Sequence, residues 1–127
     1  MITNFEEITV DISPEEKELS EIILRQLKKR YNNKLDSITG GEIVTRMKQK
    51  GFEISQPRLR KIVNYLRQLS EPIVGTSKGY FYCIDRQELI KQVISLEERA
   101  EAILAASRGI RKYLNYNPIA AELQTKI

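Results

Sequence analysis

The feature that most constrains this chain is a change in the period of its apolar residues near position 70. Up to that point apolar side chains recur at helical spacing in three successive stretches. Beyond it, Ile73-Val74-Gly75 and Tyr80-Phe81-Tyr82-Cys83-Ile84 are β-rich runs separated by Thr76-Ser77-Lys78-Gly79, the pattern of a hairpin with a glycine-containing turn. From Asp85 the helical period resumes and continues unbroken to Leu114. The expected fold class is therefore mainly α with one small β-hairpin and a long C-terminal helix. At 127 residues the chain has room for one compact domain and an appendage, not for two independent cores.

Local signals set the boundaries. Ser13-Pro14-Glu15-Glu16 starts the first helix, with Ser13 as N-cap, Pro14 in the first turn and Glu16 closing a capping box. Leu19, Ile22, Ile23 and Leu27 fall on one face, and the pattern predicts a helix to about Tyr31, ended by Asn32-Asn33-Lys34. Leu35 to Thr39 alternates apolar and polar residues and predicts a brief strand. A second helix opens at Thr39-Gly40-Gly41-Glu42, turns Ile43, Val44 and Met47 inward, and closes at Gly51. Ser55 caps a third, with Pro57 in its first turn and a buried stripe of Leu59, Ile62, Val63, Leu66 and Leu69. Asp85 caps the last helix, with Glu88 as capping-box acid. These boundaries divide the chain into an acidic segment (1–12), a domain (13–85), a long helix (86–114) and a tail (115–127) that contains an Asn117-Pro118 helix-start signal.

Two short helices joined by Gly51-Phe52-Glu53-Ile54 have the form of a helix-turn-helix. The run from Pro57 to Arg67, followed by Pro72-Ile73-Val74-Gly75-Thr76-Ser77-Lys78-Gly79-Tyr80, resembles a recognition helix, wing strand, wing tip and return strand. Residues 13–85 as a whole resemble the winged helix-turn-helix domains of bacterial and phage DNA-binding proteins, with a wing like that of biotin-repressor-like modules. The resemblance implies duplex DNA as partner and the third helix as the element that reads it.

Charge supports that expectation. Residues 1–21 hold seven acids against Lys17, so the other 106 residues carry a net charge of +10. Arg46, Lys48, Lys50, Arg58, Arg60, Lys61 and Arg67 stand against Glu53 alone in the motif. With the apolar stripe of the third helix turned inward, Ser55, Gln56, Arg58, Arg60, Lys61, Asn64, Tyr65, Arg67 and Gln68 are expected on or beside its outer face, where Arg, Gln and Asn can contact phosphates and base edges. A solvated helix face offers the bland alternative, but such faces normally mix signs. Lys78 at the hairpin tip suits a phosphate contact and suits a plain turn equally well. Tyr80, Phe81 and Tyr82 could stack on bases, yet strand alternation favours Phe81 in the core near Ile73. Cys83 reads as a small buried apolar side chain.

In the last helix Leu89, Val93, Leu96, Ala100, Ile103, Ser107, Ile110 and Leu114 step by four and three alternately, the register of a coiled coil, with Ile90 and Leu104 broadening the stripe. A homodimer through this helix is expected; packing back on the domain accounts for its first turns only.

The chain has no histidine and a single cysteine, which removes the commonest general base and metal ligand. Glu97, Glu98 and Glu101 have no partner nucleophile in view, so no enzyme activity, metal or cofactor is expected. Without an apolar run of membrane-spanning length or a signal peptide, the sequence predicts a cytoplasmic protein, not a membrane one. No separate ligand domain follows the hairpin, so no small-molecule ligand is expected. The expected function is duplex DNA binding in transcriptional regulation or in the replication and packaging machinery of a mobile element; the alternative is a winged-helix protein-interaction module.

Overall fold

A computed structural model describes residues 11–29 and 37–116. The elements are α1 (Pro14–Lys28), α2 (Gly40–Gln49), α3 (Gln56–Gln68), the strands β1 (Ile73–Thr76) and β2 (Gly79–Tyr82), and α4 (Arg86–Tyr116). The protein is mainly α, with a two-stranded antiparallel hairpin and a long C-terminal helix. Its contacts divide it into two units after Leu89.

In the first unit each short helix begins on a side-chain cap. Ser13 Oγ accepts from the Glu16 amide at 3.1 Å, and Glu16 Oε1 accepts from the Ser13 amide at 3.0 Å, closing the capping box. Thr39 Oγ1 and Ser55 Oγ accept in the same way from the amides of Glu42 and Arg58. Each cap satisfies an amide that would otherwise lack a partner and stabilises its helix by about 1 kcal/mol. Gly51, at φ +91°, ends the turn after α2 in a left-handed conformation that glycine adopts without strain.

Leu19, Ile23 and Leu27 of α1 meet Ile43 and Met47 of α2 and Leu59, Ile62, Val63 and Leu66 of α3, with Ile38, Ile54 and Ile73 completing the core. Each such side chain contributes roughly 1.5–3 kcal/mol by leaving water. Val44 is only half-buried. A smaller cluster of Val74, Phe81 and Cys83 takes Leu89 from the first turn of α4. Phe81 is thus in the core as expected, but against Val74, its cross-strand partner, because Ile73 pairs with Tyr82 and faces the other cluster.

The hairpin turns through Ser77-Lys78, with Thr76 opposite Gly79. Gly79 has φ +122°, and a Cβ there would collide with the carbonyl of Ile38. That close approach is the backbone bridge between Ile38 and Tyr80, closed by bonds of 2.9 and 2.8 Å.

Several boundaries differ from expectation. α1 ends at Lys28 with Lys29 as C-cap, and Tyr31 lies outside the described residues, as do residues 35 and 36 of the expected strand. Of that strand the described part forms only the isolated bridge at Ile38. Leu69 is not in the buried stripe but 57% exposed, because α3 stops at Gln68 and Leu69 is its C-cap, followed by Ser70 at φ +71°. α4 runs past Leu114 to Tyr116, taking in the first two residues of the expected tail; residues 117–127, including the Asn117-Pro118 signal, lie outside the described residues, as do residues 1–10. Asp85 Oδ1 accepts from the Gln87 amide at 3.1 Å and so caps α4.

Among the described residues, no helix is long and apolar enough to cross a membrane.

Candidate nucleic-acid interface

The buried side of α3 is fixed by Leu59, Ile62, Val63 and Leu66. At about 100° per residue, Pro57, Asn64 and Gln68 then form the opposite crest. Gln56, Arg60 and Arg67 fall on one flank, and Arg58, Lys61 and Tyr65 on the other. The two flanks meet different neighbours, and that separates side chains which the sequence grouped as one outer face.

The flank of Arg58 and Lys61 faces α1. Lys61 Nζ donates to Glu16 Oε1 at 2.9 Å, Arg58 Nε to Glu16 Oε2 at 3.4 Å, and Arg58 also pairs with Glu15 at 3.5 Å. The Glu16 side chain is 7% exposed and that of Lys61 11%. Burial alone would push the Glu16 carboxyl up; the Ser13 amide and hydroxyl and the Lys61 ammonium outweigh it and hold the carboxyl below its ordinary value. Glu16 therefore stays ionised as the anchor of a clamp between two helices. Arg58 and Lys61, expected as outward DNA contacts, are engaged in the α1–α3 seam. Tyr65 on the same flank packs partly against the core.

On the other flank, Arg67 Nε donates to the Ile73 carbonyl at 3.1 Å and so joins the end of α3 to β1. Gln56 lies over the start of α2, where Gly40 and Gly41 leave it space. Ser55 is exposed and occupied as a cap. Arg60 and Asn64 are half-exposed.

The remaining expected contacts lie off α3. Lys48 and Lys50, at the end of α2, are exposed, and Arg46 is half-exposed. Lys78, at the hairpin tip, is exposed while its amide donates to Thr76 Oγ1 at 3.1 Å. Among the described residues none of these four cations forms an ion pair.

No known protein family, curated protein or solved structure matches this chain.

Of the expected dimerisation residues, Leu89 is half-buried against the hairpin cluster. In the second unit Val93, Leu104, Ile110 and Ile103 are exposed, Ile103 to 70%. Ala100 is exposed too, and Leu96 and Leu114 are half-exposed. Among the described residues no group of His, Cys, Asp or Glu is placed to hold a metal ion.

The pairing of Glu15 and Glu16 with α3 is the part of this arrangement that the sequence alone does not give. Glu16 was legible as a helix cap, yet it also continues the Leu19, Ile23 and Leu27 face at helical spacing. An acid on an apolar stripe has to find a cation when it is buried, and that was the available signal.

Proposed function

We propose that the protein binds duplex DNA as a homodimer, acting as a transcriptional regulator or as an accessory factor in the replication or packaging of a mobile element. The observation that carries this reading is the set of cations Arg46, Lys48, Lys50 and Lys78, exposed or half-exposed and without ion-pair partners among the described residues, on the elements before and after α3. Such a set suits a polyanion with regularly spaced phosphates. Asn64 on α3 is the side chain best suited to base edges, since Arg58 and Lys61 are held by Glu16. The exposed stripe of α4 supports pairing with a second copy. The pairing of Arg58 and Lys61 with Glu15 and Glu16 also favours a second reading, a protein-interaction module, because these two acids offset two of the positive charges on α3.

Fluorescence anisotropy with a labelled duplex over a range of salt concentrations tests the proposal. Affinity should fall linearly with log salt, and Lys48→Ala with Lys50→Ala should lower the slope by roughly two, about one per lost phosphate contact. Absence of binding at low salt would overturn DNA binding in favour of the interaction module. Sequencing of captured genomic fragments separates a regulator, with a recurrent site, from an accessory factor with uniform coverage.

A further inference from the structure

The helix α4 from Leu96 to Leu114 carries a seam whose large and small residues, and whose charges, are complementary to the same seam reversed. Val93, Ala100, Ser107 and Leu114 occupy one set of seam positions, Leu96, Ile103 and Ile110 the other. In a parallel pair each residue meets its own copy. Ala100 would then face Ala100 and Ser107 face Ser107, leaving two thin layers that alternate with the crowded Leu96, Ile103 and Ile110 layers. Reversing one helix brings the two sets opposite each other. With the two-fold axis beside Ala105, Ala100 packs on Ile110 of the second copy, Ser107 on Ile103, and Leu96 on Leu114. Every layer then pairs small with large or leucine with leucine, which fills space more evenly.

The residues flanking the seam agree with the same register. Glu97 comes opposite Arg111 of the second copy, twice by symmetry, and Leu104 meets Leu104 on the axis. Within one chain Glu97 and Arg111 are separated by about 21 Å of helix, too far to pair. Among the described residues neither has an ion-pair partner; the ion pair on this stretch joins Glu101 to Arg108 at 2.8 Å, on the side away from the seam. In the parallel arrangement Arg111 would flank Ala106, and Arg99 would flank Leu104.

From this juxtaposition we propose that α4 is an antiparallel self-association surface, with a second copy of this chain in the register that sets Glu97 against Arg111. The inference rests on the homodimer reading and adds its orientation and register.

The test combines mass, charge exchange and distance on the full chain. Sedimentation should give twice 14.7 kDa at high micromolar concentration. Glu97→Arg or Arg111→Glu alone should raise the dimer dissociation constant roughly tenfold by setting like charges opposite each other, and the two together should restore it to within about twofold. A spin label at Ser95→Cys, on the exposed side of α4, should report a separation of about 30 Å between copies. Cys83 is buried and slow to label. A dimer with labels under about 20 Å apart and no charge rescue would overturn the antiparallel register while leaving the dimer standing. A monomer at every concentration would overturn both.

Discussion

Helices α1 and α4 are both amphipathic by sequence, and the structure treats them in opposite ways. Leu19, Ile23 and Leu27 of α1 are fully buried, and even its one acid on that stripe, Glu16, has two cations waiting for it on α3. From Ile90 onward α4 has no buried residue. The apolar period of α1 is covered by other elements of the first unit, while that of α4 is exposed or half-exposed among the described residues. A hydrophobic stripe specifies that a surface is to be covered, not by what.

Matched truncations break this comparison most severely. Leu27→Ala should cost about 2–5 kcal/mol in denaturant unfolding, because it leaves a cavity in the core of the first unit. Ile103→Ala, a deletion of similar size, should change the stability of a dilute sample by no more than about 0.5 kcal/mol, as exposed substitutions do. Its effect should appear only as concentration rises and pairs form. A large loss from Ile103→Ala that is independent of concentration would mean that α4 is covered by its own chain, and the contrast between the helices would fall.

The clamp on α3 sharpens the comparison from the other side, since it is where two regions of sequence meet through charge. Glu16→Gln removes an acid on which Arg58 and Lys61 depend and should destabilise the first unit by about 1–3 kcal/mol. The pH dependence follows from the lowered Glu16 carboxyl. A depressed folded value means that the stabilisation is fully present above the unfolded value of 4.5 and is lost as pH falls through the folded value. Midpoints measured from pH 7 to pH 2 should show an acid limb in the wild type that is diminished in Glu16→Gln; equal limbs would remove Glu16 from the acid transition. If the clamp also withholds charge from DNA, the variant should bind duplex more tightly per folded molecule.

What the sequence disclosed and what it hid follow from how local each signal is. Ser13, Thr39 and Ser55 were readable as caps because a cap is decided within three residues of itself. The hairpin and the inward faces of α1 and α3 were readable because period and side are the same information. The flank of α3 that faces α1 was not, because Glu16 reaches Arg58 and Lys61 across sequence separations of 42 and 45. An apolar stripe gives the buried face of a helix; only the packing of a second helix tells its left from its right. Leu69 failed for a related reason, since the helix was ended by a left-handed Ser70 that no glycine announces.

The smallest effect is expected at Gly109, the glycine inside α4. Glycine in a helix interior costs about 0.5–1 kcal/mol relative to alanine through backbone entropy, and a Cβ built at this position meets nothing within 4 Å. Gly109→Ala should therefore stabilise the helix locally and slow hydrogen exchange of the amides around it by roughly two- to fivefold. In the antiparallel register Gly109 lies off the seam between Arg108 and Ile110, so the added methyl should leave the dimer dissociation constant unchanged or slightly lower. The opposite result has a specific meaning: if Gly109→Ala weakens association, a partner backbone approaches at this position, where only glycine leaves room. The face of α4 that pairs would then include Gly109, and the register set by Glu97 and Arg111 would have to rotate toward it.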